Sequence, residues 1–120
     1  MTNKEIVYQW IDGFNEHNTE KILSLYDENA IHFSPKLKLR QPETNGFVQG
    51  KNAMRDWWND SFSSIPSLRY ELKNIIDEGH QVVFEYIRHV DQEEPTFIAE
   101  YFETKNGFIV RSKVFHVSES

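Results

Sequence analysis

The sequence predicts an α+β domain in which three N-terminal helices pack on a strongly curved antiparallel sheet and enclose a pocket. Three observations predict it. Apolar residues recur at helical spacing in the first half, at steps of three and four, and give way to strand-like alternation after Pro66. The strand-like stretches follow one another with short turns, so neighbours pair antiparallel. Seventeen large rings (nine Phe, five Tyr and three Trp) in 120 residues supply the area to line a core and a cavity.

The first helix is expected over 3–17, where Ile6, Val7, Trp10, Ile11 and Phe14 form one stripe and Thr2 with Glu5 forms a capping box. A second is expected over 19–28, carrying Ile22, Leu23, Leu25 and Tyr26, with Asn18 or Thr19 as its cap. Residues 30–34 read as a short strand ended by Pro35. The stretch 36–49, with Lys36, Lys38, Arg40, Pro42 and Gly46, is too polar and broken for a core element. It reads equally as a lid or pocket rim and as a surface loop. A third helix fits 51–64, with Met54, Trp57, Trp58 and Phe62 on its apolar face. Strands follow at about 67–78, 81–91, 96–104 and 108–117.

The turn at Asn106-Gly107 decides which side chains of the last strand face inward. A two-residue turn puts Arg111 and Lys113 on the same face as Glu100. A three-residue loop, Lys105-Asn106-Gly107, puts Phe108, Val110, Ser112, Val114 and His116 there instead. Burying two fixed cations is costly, so the three-residue loop is expected, with Arg111 and Lys113 outside.

One domain over 1–120 suits the length. The net charge is −6 and the 13 basic residues are scattered, which argues against nucleic acid or an anionic membrane as partner. With no cysteine, disulfides and thiolate metal sites are excluded. The start MTNKEIVYQW lacks the features of a signal peptide and no apolar run is long enough for a membrane span, so a cytoplasmic protein is expected.

Three local patterns in order resemble the nuclear transport factor 2-like superfamily. They are EIVYQWIDGFNEHNTEKILSLYDENAIHFSP, GKNAMRDWW and FETKNGFIVRSKVFH, and together they span nearly the whole chain. The resemblance implies the cone-shaped, cystatin-like roll of that superfamily, which includes ketosteroid isomerases and SnoaL-like polyketide cyclases. It also implies that the isomerase base falls on Ser34 and the isomerase phenol on Trp10, so steroid isomerisation by the usual route is not expected. The isomerase's protonated carboxylic acid aligns with Glu100. Arg88 and Glu100 look a little like part of the Asp-Arg-Asp arrangement of limonene epoxide hydrolases, whose third member is not evident. Members of the superfamily commonly pair through the outer sheet face, here Tyr101, Ile109, Arg111, Lys113 and Phe115.

The expected site combines Glu100 and His32 as catalytic groups with Trp10, Ser34, Trp57, Trp58, Arg88, Phe102, Val114 and His116 around the ligand. A dry pocket raises the pKa of a carboxyl, which makes Glu100 a candidate acid or base. Alternatively Glu100 pairs with Arg88 or sits at the wet mouth. His32 shares its parity with Ser34, and the resemblance turns both inward; otherwise Ile31 and Phe33 take the inner face. Arg88 lies on one strand face with Phe84 and Tyr86, opposite Val83, Glu85, Ile87 and His89, and composition does not choose between the faces. It could clamp a carboxylate or enolate. The tryptophans serve as core or as walls for a flat apolar or aromatic ligand. His32, His116 and Glu100 lack tight ligand spacing, so neither metal nor cofactor is expected. The function expected is small-molecule binding, with proton transfer by a cofactor-independent isomerase, cyclase or hydrolase. The alternative is a non-catalytic ligand-binding or dimerisation module.

Overall fold

A computed structural model describes residues 1–116. Helix α1 (Asn3–Asn15) opens on the expected capping box, with the Thr2 hydroxyl accepting from the Glu5 amide and the Glu5 carboxylate accepting from the Thr2 amide. Asn18 caps α2 (Thr19–Leu23), which is one turn long and not the helix over 19–28 that periodicity suggests. The chain leaves the helix because the Leu25 carbonyl accepts from the Ile109 amide at 2.9 Å, and Tyr26 already pairs with Ile109. Strand β1 (Tyr26–Phe33) therefore starts four residues earlier than expected.

The segment expected to be a loop is folded. It forms α3 (Pro35–Arg40), a 3-10 turn (Pro42–Thr44) and β2 (Phe47–Gln49), which pairs antiparallel with β1. Each element buries one apolar residue or none; Leu37 and Val48 are the buried ones. That is too little periodicity to read from sequence. Helix α4 (Lys51–Ser64) then leads to β3 (Arg69–Asp77), β4 (Gln81–His89), β5 (Thr96–Lys105) and β6 (Phe108–His116).

The six strands form one curved sheet in the order β2-β1-β6-β5-β4-β3, and α1, α2 and α4 pack over it. The four C-terminal strands are a meander, but β1 joins β6 in parallel, so the sheet is mixed and not wholly antiparallel. Between helices and sheet lies an aromatic core centred on Trp10, whose ring meets Phe14, Tyr70, Phe84, Tyr86 and Phe102 at centroid distances of 4.2–5.7 Å.

The β5–β6 hairpin reaches the expected facing by another route. Its turn has two residues, with Lys105 paired to Phe108 and both Asn106 (φ 54°) and Gly107 (φ 80°) left-handed. Val110 is then bulged out between the pairs Glu103–Arg111 and Thr104–Ile109, which shifts the register by one. Ser112, Val114 and His116 thus share the inner face with Glu100, as the three-residue loop also requires. The residues before the bulge differ: Phe108 is exposed, and Ile109, expected outside, is fully buried. The bulge keeps Arg111 and Lys113 off the inner face.

Candidate functional site

A cavity of about 470 Å³ opens between α1, α3, α4 and the inner face of the sheet. Strand alternation supplies its sheet wall: Tyr86 and Arg88 from β4, Ile98 and Glu100 from β5, Val114 and His116 from β6, and His32 from β1. The helices contribute Trp10, Phe14, Trp57 and Trp58, and Ser34 with α3 forms one edge. Nine of the ten expected site residues border this space. Phe102 does not; it is fully buried beneath the wall, packed against Trp10, Tyr26 and Phe84, because it lies two residues from Glu100 toward the apolar end of the sheet.

Glu100 has no exposed surface. Its Oε1 accepts a hydrogen bond from the Tyr86 hydroxyl at 3.1 Å, and Oε2 has no partner. Burial pushes its carboxyl well above the usual range, only partly opposed by the Tyr86 bond, so the side chain is held as the neutral acid. Because Oε1 is the acceptor, the acid proton belongs on Oε2. Neither alternative placement of Glu100 occurs: Arg88 pairs with Glu93 at 3.0 Å, and the carboxyl lies far inside the mouth.

His32 is also buried, 3 % exposed, and burial lowers its pKa to about 4. It ends a buried polar chain. The Trp10 indole N–H donates to the Tyr26 hydroxyl at 3.2 Å, Tyr26 reaches Ser112 Oγ at 3.5 Å, and Ser112 Oγ meets His32 Nδ1 at 2.6 Å. The indole N–H donates to Tyr26 and the Tyr26 hydroxyl to Ser112, whose Oγ meets Nδ1 as donor or acceptor according to the imidazole tautomer. Burial keeps the His32 imidazole neutral. Glu100 and His32 line one cavity through separate partners.

At the mouth the character changes. Lys36 and Arg40 from α3 join Arg88 and His116. The Lys36 ammonium is pushed down by desolvation and by the neighbouring Arg88 and Arg40 cations, with Glu93 opposing. His116 is pushed down by desolvation, then by Lys36 and Arg88. The guanidinium of Arg40 lies 5.7 Å from the Trp57 ring centroid, so Trp57 is a rim residue, whereas Trp58 is buried against His32, Tyr26 and Phe14. Sequence reasoning missed Tyr86 as the partner of Glu100, and Tyr26 and Ser112 as the partners of His32. The shared parity of Phe84, Tyr86 and Arg88 was the one signal for the first; the second needs the parallel β1–β6 pairing.

Comparison with known proteins agrees with this architecture. A SnoaL-like protein of unknown function from Burkholderia thailandensis superposes with a TM-score of 0.86 at 22% identity, over 96% of this chain and 93% of that one. A protein described as a putative polyketide cyclase from Sinorhizobium meliloti gives 0.78 at 17% identity, over 92% and 94%. TerC, crystallised with polyporic acid, gives 0.83 at 17% identity, over 96% and 91%. At these identities the likeness concerns the fold. A search of functionally curated proteins returns no match. No helix among the described residues is long and apolar enough to cross a membrane. Residues 7–112, most of the helices and sheet that build the cavity, match the SnoaL-like domain, and the chain belongs to that family.

Proposed function

We propose that this chain binds a small, largely apolar molecule in its cavity and donates a proton from Glu100 to an oxygen of that molecule. One observation carries the reading: a fully buried carboxyl, neutral by burial, spends one oxygen on Tyr86 and leaves the other without a partner. A buried oxygen left without a partner costs stability, and a neutral acid so placed suits a general acid toward a carbonyl or epoxide oxygen. His32, also kept neutral by burial, lines the same cavity. Protonation of substrate oxygen is common to isomerase, cyclase and hydrolase chemistry and needs no cofactor. The co-crystallisation of TerC with polyporic acid supports a small-molecule ligand for this fold.

The test is α-deuterium exchange into 2-tetralone, followed by NMR. Wild type is expected to accelerate exchange over buffer, Glu100 protonating the carbonyl oxygen while water takes the α-proton, and Glu100→Gln to lose that acceleration by about 10²-fold or more. Equal rates for the two proteins would remove Glu100 from the chemistry. A second reading, a non-catalytic ligand carrier, is favoured by a different observation. Both Glu100 and His32 are held neutral, so neither is a strong base at neutral pH. Retained binding of 2-tetralone without exchange in wild type would select it.

The same reading treats residues 1–120 as one cytoplasmic domain that pairs with a second copy through the outer sheet face. Exposed Phe97 and Phe115 beside Tyr101, Arg111 and Lys113 support such pairing. Light scattering on the eluted protein measures it directly.

A further inference from the structure

The charges at the cavity mouth run against the charge of the chain. The sequence carries 19 acidic and 13 basic residues. Yet the cavity is bordered by three cations, Lys36, Arg40 and Arg88, and by one carboxylate outside its inner end, Glu93. Glu93 is spent on Arg88 at 3.0 Å. Arg40 has only the exposed Asp60 at 3.6 Å, beside the Trp57 ring. Lys36 has no carboxylate within ion-pair distance among the described residues. Two neighbouring cations repel it, and it stays near them because Pro35 starts α3 at the end of β1. Like charges gathered at one opening raise the local concentration of an opposite charge.

The inner end has the opposite character. Trp10, Phe14 and Trp58 make it apolar, and the neutral Glu100 is the polar group there with an unpartnered oxygen. Arg88 lies four residues along β4 from Phe84, the cross-strand partner of Glu100, which is on the order of 13 Å. Long side chains at both ends shorten that gap to about two fused or linked rings.

We infer that the ligand is an amphipathic organic acid: a flat apolar body with a hydrogen-bond acceptor directed at Glu100 and a carboxylate or acidic hydroxyl at the rim formed by Lys36, Arg40 and Arg88. The inference rests on the proposed donor role of Glu100 for the ligand's inner end alone; the anionic end rests on the rim. Both steering and affinity then depend on charge, so they weaken as salt rises.

The test uses 4′-acetylbiphenyl-4-carboxylic acid and its carboxamide, which differ in charge at one end of a two-ring body. Binding is read by quenching of tryptophan fluorescence and by calorimetry at pH 7. The acid is expected to bind at least tenfold more tightly than the amide. Raising the salt from 50 to 500 mM should weaken the acid several-fold and leave the amide unchanged. The double variant Lys36→Gln, Arg40→Gln, at exposed positions, should bring the acid to within about twofold of the amide while its thermal melt stays at the wild-type temperature. If the variant melts early, the salt series on wild type carries the same comparison. An amide that binds as well as the acid, an acid insensitive to salt, or no binding of either overturns the inference. A tenfold preference that persists in Glu100→Gln, together with unchanged deuterium exchange in that variant, would uphold the anionic rim and remove the proton-donor reading. Loss of exchange with no preference would do the reverse.

Discussion

Replacing Glu100 by Gln keeps the shape of the side chain and removes its ionisation, so stability should become less dependent on pH in a direction fixed by linkage. In the folded chain the carboxyl is fully buried and its pKa lies well above the ordinary value. In the unfolded chain it ionises near pH ~4.3. Between those two values the folded form keeps a proton that the unfolded form releases. The stability contributed by the neutral acid is complete below about pH 4.3 and is lost as pH rises, by about 1.4 kcal/mol per pH unit, until the folded pKa is reached. Gln has no such slope. The difference in unfolding free energy, variant minus wild type, should therefore grow by about 1.4 kcal/mol per pH unit inside that window. Each kcal/mol moves the melting temperature of a chain this long by about 4 °C. Urea unfolding at pH 5, 6 and 7, followed by the fluorescence of the three tryptophans, measures it. His32 is common to both proteins, so its own titration cancels. A difference that stays constant with pH would mean that Glu100 is ionised in the fold, and the reasoning about a neutral acid would fail.

Two further outcomes follow from the packing and burial around the cavity. Burial lowers the pKa of His32 from 6.5 to about 4, so stability tied to its neutral form is intact above pH 6.5 and is lost as pH falls toward 4, by about 3 kcal/mol in all. NMR of the ring protons should give a midpoint near 4, and a midpoint between 6 and 7 would contradict the burial argument. Gly13 lets α1 approach α2 so closely that an added Cβ would lie 2.7 Å from Ile22 Cγ1. Gly13→Ala should therefore cost about 1 kcal/mol, the crowding of a buried Ile outweighing the better helix propensity of Ala. A melting temperature equal to or above wild type would show that Ile22 moves aside freely.

Much of the fold could be read along the chain because its signals are local. The Thr2–Glu5 capping box, the Trp10 stripe and the alternation of β4 and β5 each depend on residues a few positions apart. The elements that escaped prediction are those that tertiary contacts create. Tyr26 has helical spacing with Ile22, yet the Ile109 amide draws the chain into a strand. The segment around Leu37 and Val48 is ordered by pairing with β1 and carries little periodicity of its own.

The sequence by itself determined the α+β class, the aromatic interior and the shared parity of His32 with Ser34, since these follow from spacing and composition; which side that pair faces was only implied by the family resemblance. The sequence also put Glu100 and Val114 on one face, through an argument about buried cations that fixes facing without fixing the loop or the cross-strand partner. Only the tertiary structure decided how that facing is reached, by a two-residue turn and a bulge at Val110. It alone decided the inward side of Arg88, the exclusion of Phe102 from the cavity and the partners of the two polar groups. The reason is physical. A strand's alternation states which residues share a face. The protonation of Glu100 and His32 depends on which groups from other strands and helices surround them, and those groups meet only when the sheet closes.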